Sequence, residues 1–387
     1  MKRKMLSVVL GAAMAASLLA GCGSSASTTT AAATTAAAAE TTKAAAETTA
    51  AVTTVASAEE AATTAAAGAA SGEVTTVGFV QVGHESDWRT ASTKSVQAAF
   101  SKENGFDLQF VDCDNDSKKQ IDAVRNFIQQ DVDYIVIDPI VATGWDTVLT
   151  EAQTAQIPVI VIDRTIDDSD KYVAWIGTET KNEGLASGAW LEAYAAQKGI
   201  KDLNILIIEG TTGSSAQIGR SDGFMAYADK NKWNVLDHQT GDFTQDGGQK
   251  VMESFCKSYA GKFNVVVCQN DNEAFGAMDA MKAAGVKYGT KGDVIVISYD
   301  ACKAGLQKTM DGEINADFQC NPLQGPDCAK IVADLAAGKQ VEKKTYMAEP
   351  WYVSEDTLKN VTYTNAAGKE VTEDLIPVTQ DIVDAGY

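Results

Sequence analysis

Asp138, Asp163, Arg164, Asn270, Asp271 and Asp300 share one context: each stands at or just past the end of a short apolar run. Any one of these aspartates or the asparagine serves equally well as a helix N-cap. As a set they can do more. Ionised side chains make the stronger hydrogen bonds, often in bidentate pairs, and a ligand carrying many hydroxyls can be gripped that way provided the charges balance. Arg220 adds a further cation. A polyhydroxylated ligand also presents C–H faces, which pack against aromatic rings. Trp88, in Gly83-His84-Glu85-Ser86-Asp87-Trp88-Arg89, and Phe243 are the candidate rings, with a core role at a helix start as the plainer alternative for Trp88. The chemistry these residue types suit is the clasping of a sugar.

Other chemistries find less support. Gly210-Thr211-Thr212-Gly213-Ser214 lacks the GxGxxG spacing of a dinucleotide site, no P-loop lysine follows it, and no Gly-x-Ser-x-Gly elbow is evident, so an enzyme is not expected. Asp112-Cys113-Asp114-Asn115-Asp116 resembles a calcium loop but lacks the glycine and the twelfth-position glutamate, and reads as a surface or cleft-edge loop. With no CxxC and only His84 and His238, neither a metal site nor a cofactor is expected. A formal charge of −20 and a pI near 4.5 argue against a nucleic-acid partner.

These residues need elements to position them. Apolar β-rich runs at 76–80, 108–111, 134–138 and 158–163 alternate with helically spaced stretches at 89–104, 118–130 and 144–156. The pattern restarts with runs at 204–209, 233–238, 264–268 and 294–299, separated by stretches at 214–231, 246–259 and 272–285. A strand at 314–318, a helix at 325–338 and a strand at 345–350 follow. This alternation predicts two α/β units of parallel sheet covered by helices, with the late elements crossing between them. In such sheets ligands sit beyond the carboxyl ends of the strands, where the candidate residues stand.

The first 21 residues have a basic start, an apolar run and small residues, the layout of a secretory signal. Leu19-Ala20-Gly21-Cys22 resembles a lipobox, making Cys22 the expected site of lipidation and membrane anchoring. Residues 22–73 comprise that cysteine and an Ala/Thr-rich tether, expected to be disordered, with an end-to-end distance on the order of 40 Å. Beyond Cys22 an even number of cysteines remains, which permits disulfides in an exported protein, and free buried thiols fit as well.

Several segments, in this order and at these separations, carry a family resemblance: Ser86-Asp87-Trp88-Arg89, Val141-Ala142-Thr143-Gly144-Trp145, Asp163-Arg164, Gly241-Asp242-Phe243-Thr244, Val251-Met252-Glu253-Ser254-Phe255 and Gln269-Asn270-Asp271. From residue 77 onward the chain resembles the periplasmic sugar-binding proteins of the ribose and galactofuranose group. The resemblance implies the type 1 periplasmic binding protein fold: α/β, two Rossmann-like lobes with parallel sheets joined by a three-strand hinge. It implies lobes at 74–177 plus 320–348 and at 178–319 plus 349–387, with crossings near 176–180, 319–321 and 348–352. It further implies a ligand site of Trp88, Arg89, Asp163, Arg164, Arg220, Phe243, Asn270, Asp300 and Gln319. Asp138 departs from the family pattern and is expected to add a carboxylate partner for a hydroxyl. The function so implied is capture of a monosaccharide (galactofuranose-like, ribose-like or a related aldose) by a monomeric lipoprotein. The implied partner is an ABC permease with its ATPase. A sugar sensor presenting its ligand to a membrane kinase is the alternative.

Overall fold

The computed structural model describes residues 74–355 and 357–387; the expected signal sequence, the lipidation site at Cys22 and the tether lie outside the described residues. In chain order the first elements are β1 (Thr75–Gln81), α1 (Asp87–Ala99), β2 (Phe106–Asp112), α2 (Ser117–Gln129), β3 (Tyr134–Ile137), α3 (Asp146–Thr154), β4 (Val159–Ile162) and β5 (Ala174–Gly177). Then come α4 (Thr180–Lys198), β6 (Asn204–Glu209), α5 (Ser215–Asn231), β7 (Asn234–Thr240), α6 (Gln245–Ser258), β8 (Val265–Cys268), α7 (Asp271–Ala283), β9 (Ile295–Asp300), α8 (Lys303–Met310) and β10 (Ala316–Gln319). The chain closes with α9 (Gly325–Ala336), β11 (Lys344–Tyr346), β12 (Trp351–Val353), β13 (Asn360–Thr364), β14 (Glu370–Pro377) and α10 (Gln380–Ala385).

Two sheets result. One has the order β11-β5-β4-β3-β1-β2, with every pairing parallel. The other has the order β13-β14-β12-β10-β9-β8-β6-β7 and is mixed, because β12 joins β10 antiparallel and β13 joins β14 antiparallel. The inner parallel strands β3, β4, β8 and β9 are buried on both faces, as their runs of Val and Ile require, whereas the edge strands β2, β7 and β11 are partly exposed. Val80, Ile135, Ile137 and Val161 face one core cluster, while Val77, Phe79, Val136 and Ile160 face another on the opposite side of the same sheet. Fully burying one such side chain contributes about 1.5–3 kcal/mol.

Where helices begin, the sequence supplies the acceptors. Ser86 Oγ accepts from Arg89 N (3.1 Å) at α1, Thr244 Oγ1 from Gly247 N (3.0 Å) at α6, and Asn270 Oδ1 from Glu273 N (2.8 Å) at α7. Each cap satisfies a backbone donor that the helix itself leaves open.

The structure amends the expectation in three places. The strand expected at 345–350 is two strands, β11 in the first sheet and β12 in the second, so the intervening residues carry the chain across. The second sheet gains the β13–β14 hairpin, whose polar, largely exposed strands give no apolar run to read. Helix α4 has no sequence stripe because the consecutive residues Glu183 to Leu191 are all buried. The six cysteines among the described residues are free thiols, and all but Cys256 are buried. No helix among the described residues is long and apolar enough to cross a membrane.

Candidate functional site

At the carboxyl ends of both sheets a narrow gap, with an enclosed volume of about 20 Å³, is lined by groups that include Trp88, Arg89, Asp163, Arg164, Arg220, Phe243, Asn270 and Asp300. Their positions follow from the fold. Trp88 and Arg89 sit in the first turn of α1; Asp163 and Arg164 follow β4; Arg220 lies in α5; Phe243 bridges β7 and α6; Asn270 caps α7; Asp300 ends β9.

On the first-sheet side, Arg89 is the hub. Its Nε donates to Glu85 Oε1 at 3.0 Å, its Nη2 to Asp163 Oδ2 at 3.0 Å, and its Nη1 to Asp138 Oδ2. Arg164 donates through Nη1 to the Ile140 carbonyl at 3.1 Å and lies 3.6 Å from Glu85 Oε1 through Nη2. Three carboxylates around one buried guanidinium cannot all ionise cheaply. Burial drives Asp138 well above the usual carboxylate range despite the Arg89 charge, and its Oδ1 has no partner. Burial also opposes ionisation of Glu85, but the charges of Arg89 and Arg164 outweigh it and hold this carboxyl below its ordinary value.

On the second-sheet side, Arg220 is the hub. Its Nε donates to Glu183 Oε2 at 2.6 Å, its Nη2 to Asp300 Oδ1 at 3.0 Å, and its Nη1 to the Gln269 carbonyl. Burial pushes Asp300 up to about 7, against the pull of Arg220. Phe243 is fixed from behind: its N–H donates to Glu273 Oε1 at 2.9 Å and its carbonyl accepts from Asn270 Nδ2 at 2.9 Å. A Cβ on Gly210 would stand 1.9 Å from the Phe243 ring, so only glycine lets the ring lie there. Arg164 stacks on one side of that ring at 5.2 Å and Arg220 lies 6.0 Å from it, which brings cations of both sheets onto one aromatic.

Two expected residues fall elsewhere. Asp138 does not line the gap; it is fully buried and reaches the site only through Arg89. Gln319 does not line it either. Its neighbour Cys320 does, because successive residues at a strand end face opposite sides. Trp88 is 4% exposed, lines the gap and donates from Nε1 to the Cys320 carbonyl at 2.8 Å. Glu85 and Glu183 escaped the sequence reading, since a glutamate in a loop or helix start ordinarily points to water; only the nearby arginines hint otherwise. A second depression, among Phe275, Asp279, Lys282 and Lys308, gathers exposed rather than buried polar groups.

Residues 77–340 match the family model described as "Periplasmic binding protein domain". This chain belongs to the periplasmic binding protein family. The Galactofuranose-binding protein YtfQ of Escherichia coli (strain K12) is 39% identical over 291 residues, 73% of this chain and 89% of that protein. The Fructose import binding protein FruE of Bifidobacterium longum (strain NCC 2705) is 35% identical over 279 residues, 69% of this chain and 81% of that protein. A solved structure from Mycobacterium smegmatis in complex with Beta-D-Fucofuranose is 42% identical, covers 73% of this chain and 92% of its own, and superposes with a TM-score of 0.69.

In this periplasmic binding protein the lobes touch directly. Ala142 N donates to the Gly213 carbonyl at 2.9 Å, Thr165 N to Ser215 Oγ at 2.8 Å, and Asp87 N to Asn272 Oδ1 at 3.0 Å. These contacts bridge the two lobes beside the gap.

Proposed function

We propose that this chain captures a neutral monosaccharide outside the cytoplasm and delivers it to an ABC importer. Its lobes are proposed to span 74–177 plus 320–348 and 178–319 plus 349–387, and a lipid at Cys22 is proposed to hold it to the membrane as a monomer. The observation that carries this reading is the double clasp. Arg89 and Arg164 on one lobe and Arg220 on the other stand around a single gap, with Trp88 and Phe243 as aromatic faces. Each guanidinium already lies within ion-pair distance of a carboxylate, so the site favours a ligand with hydroxyls over one with net charge. The relatives named above bind or import sugars by their names, and none is named as an enzyme.

A thermal-shift and calorimetric panel of D-galactose, L-arabinose, D-ribose and D-fructose against the full chain tests this. A sugar at a hundred times its Kd adds about 2.7 kcal/mol to stability. Absence of a shift with every sugar of the panel overturns the reading.

A further inference from the structure

Behind Asp300, away from the gap, two buried carboxyls face each other. Asp271 Oδ1 accepts from Ser298 Oγ at 2.6 Å and its Oδ2 from Cys302 N at 2.8 Å. Asp317 Oδ1 accepts from Ala301 N at 3.1 Å and its Oδ2 has no hydrogen-bond partner, while Asp317 stands in register with Ser298, whose hydroxyl is held by Asp271. Both residues are at most 1% exposed. The anchored amides adjoin a left-handed stretch: Asp300 has φ 97° and Ala301 φ 52°, conformations that cost a non-glycine residue on the order of 1–3 kcal/mol each. Such a turn persists only where its surroundings over-determine it. Here the Ala301 and Cys302 amides are each held by one member of the carboxyl pair, and the result aims Asp300 at Arg220.

We infer that Asp271 and Asp317 form a carboxyl pair sharing one proton, and that Asp317 is a positioning residue which holds the strained 300–302 turn and so sets Asp300 in the binding site. The inference rests on the proposed role of Asp300 in that site. Two adjacent buried carboxylates cannot both ionise without strong repulsion. In keeping with this, burial pushes Asp271 up to about 6 and Asp317 well above its ordinary range. The titratable groups facing the pair are Asp300 on β9, Cys302 at the start of α8, Tyr352 on β12, Cys268 on β8 and Tyr387 near the chain end. Burial raises both thiols and both phenols, which keeps them neutral while the pair titrates. Loss of the shared proton as pH rises leaves two like charges close together, loosens the grip on Ala301 N and frees Asp300 from Arg220.

Asp317→Asn separates this from a merely structural role. The amide can donate to Asp271 and still accept from Ala301 N, and it does not titrate. The full chain, wild type and D317N, is titrated with L-arabinose, D-galactose and D-ribose between pH 7 and pH 10, with unfolding free energy of the unliganded protein followed over the same range. The wild type is expected to lose affinity at least about ten-fold toward pH 10, and D317N to stay within about three-fold of its pH 7 value. D317A is expected to bind at least about ten-fold more weakly than wild type at pH 7. If D317N and wild type share one pH profile, in affinity and in unfolding, the inference is overturned, whether or not D317A folds. If the wild type binds none of these three sugars and not D-fructose either, the functional reading falls, and the unliganded unfolding profiles still decide the carboxyl pair.

Discussion

Truncating Arg220 to alanine removes the hub of the second-lobe clasp. The guanidinium contacts Glu183 at 2.6 Å, Asp300 at 3.0 Å and the Gln269 carbonyl, and it is 3% exposed. Breaking a buried ion pair from one side costs about 3–5 kcal/mol, because the partner charge stays buried and uncompensated. Part of that cost is avoidable. Asp300 already titrates at about 7, and without Arg220 it holds its proton more firmly, so R220A should be less destabilised at pH 5 than at pH 8. Sugar binding loses a charged donor at the gap, worth roughly 2–4 kcal/mol, or about 30- to 1,000-fold in Kd. Calorimetry and denaturant unfolding on the full chain read both effects. Arg125→Ala is the control: its pair with Glu151 at 2.8 Å is about 40% exposed on each side, so it should cost under about 1 kcal/mol and leave affinity unchanged. Wild-type affinity in R220A, or a stability loss no larger than that of R125A, would refute the reasoning.

Further expectations follow from the same geometry. The unliganded protein should lose stability as pH rises from about 4 through 7: Asp300 titrates near 3.9 when unfolded and at about 7 when folded, so the folded state binds more protons in that window. Asp300→Asn should flatten that slope, and an unchanged slope in pH-dependent unfolding would count against the assignment. Gly210→Ala should displace the Phe243 ring, costing about 1–3 kcal/mol in stability and weakening sugar binding; a variant with unaltered melting and affinity would show that the ring has room to move. Trp88→Ala should abolish much of any sugar-induced change in tryptophan fluorescence, and a full signal in the variant would place Trp88 in the core alone.

Much of the site could be read from strand ends. Asp163, Arg164, Asn270 and Asp300 stand where buried parallel strands stop, and an apolar run marks its own end. Depth was not legible. Asp138 occupies the same sequence context as Asp163, yet it lies behind Arg89, and nothing in its neighbours distinguishes the two. Side was lost at the end of β10, where one residue separates Gln319 from the gap-lining Cys320. Glu183 was hidden because its partner, Arg220, is distant in sequence, and Glu85 because its spacing from Arg89 also suits a pair at the surface. Helix α4 was unreadable for the opposite reason: its burial continues around the helix and leaves no stripe.

The central claim is that one monosaccharide is held by both lobes at once. A crystal structure of the sugar-bound chain tests it most directly. The expected result is a single sugar ring in the gap with hydroxyls within about 3.2 Å of both the Arg164 and the Arg220 guanidinium. Density at the Phe275–Lys282 depression instead, or contact with one lobe only, would contradict it.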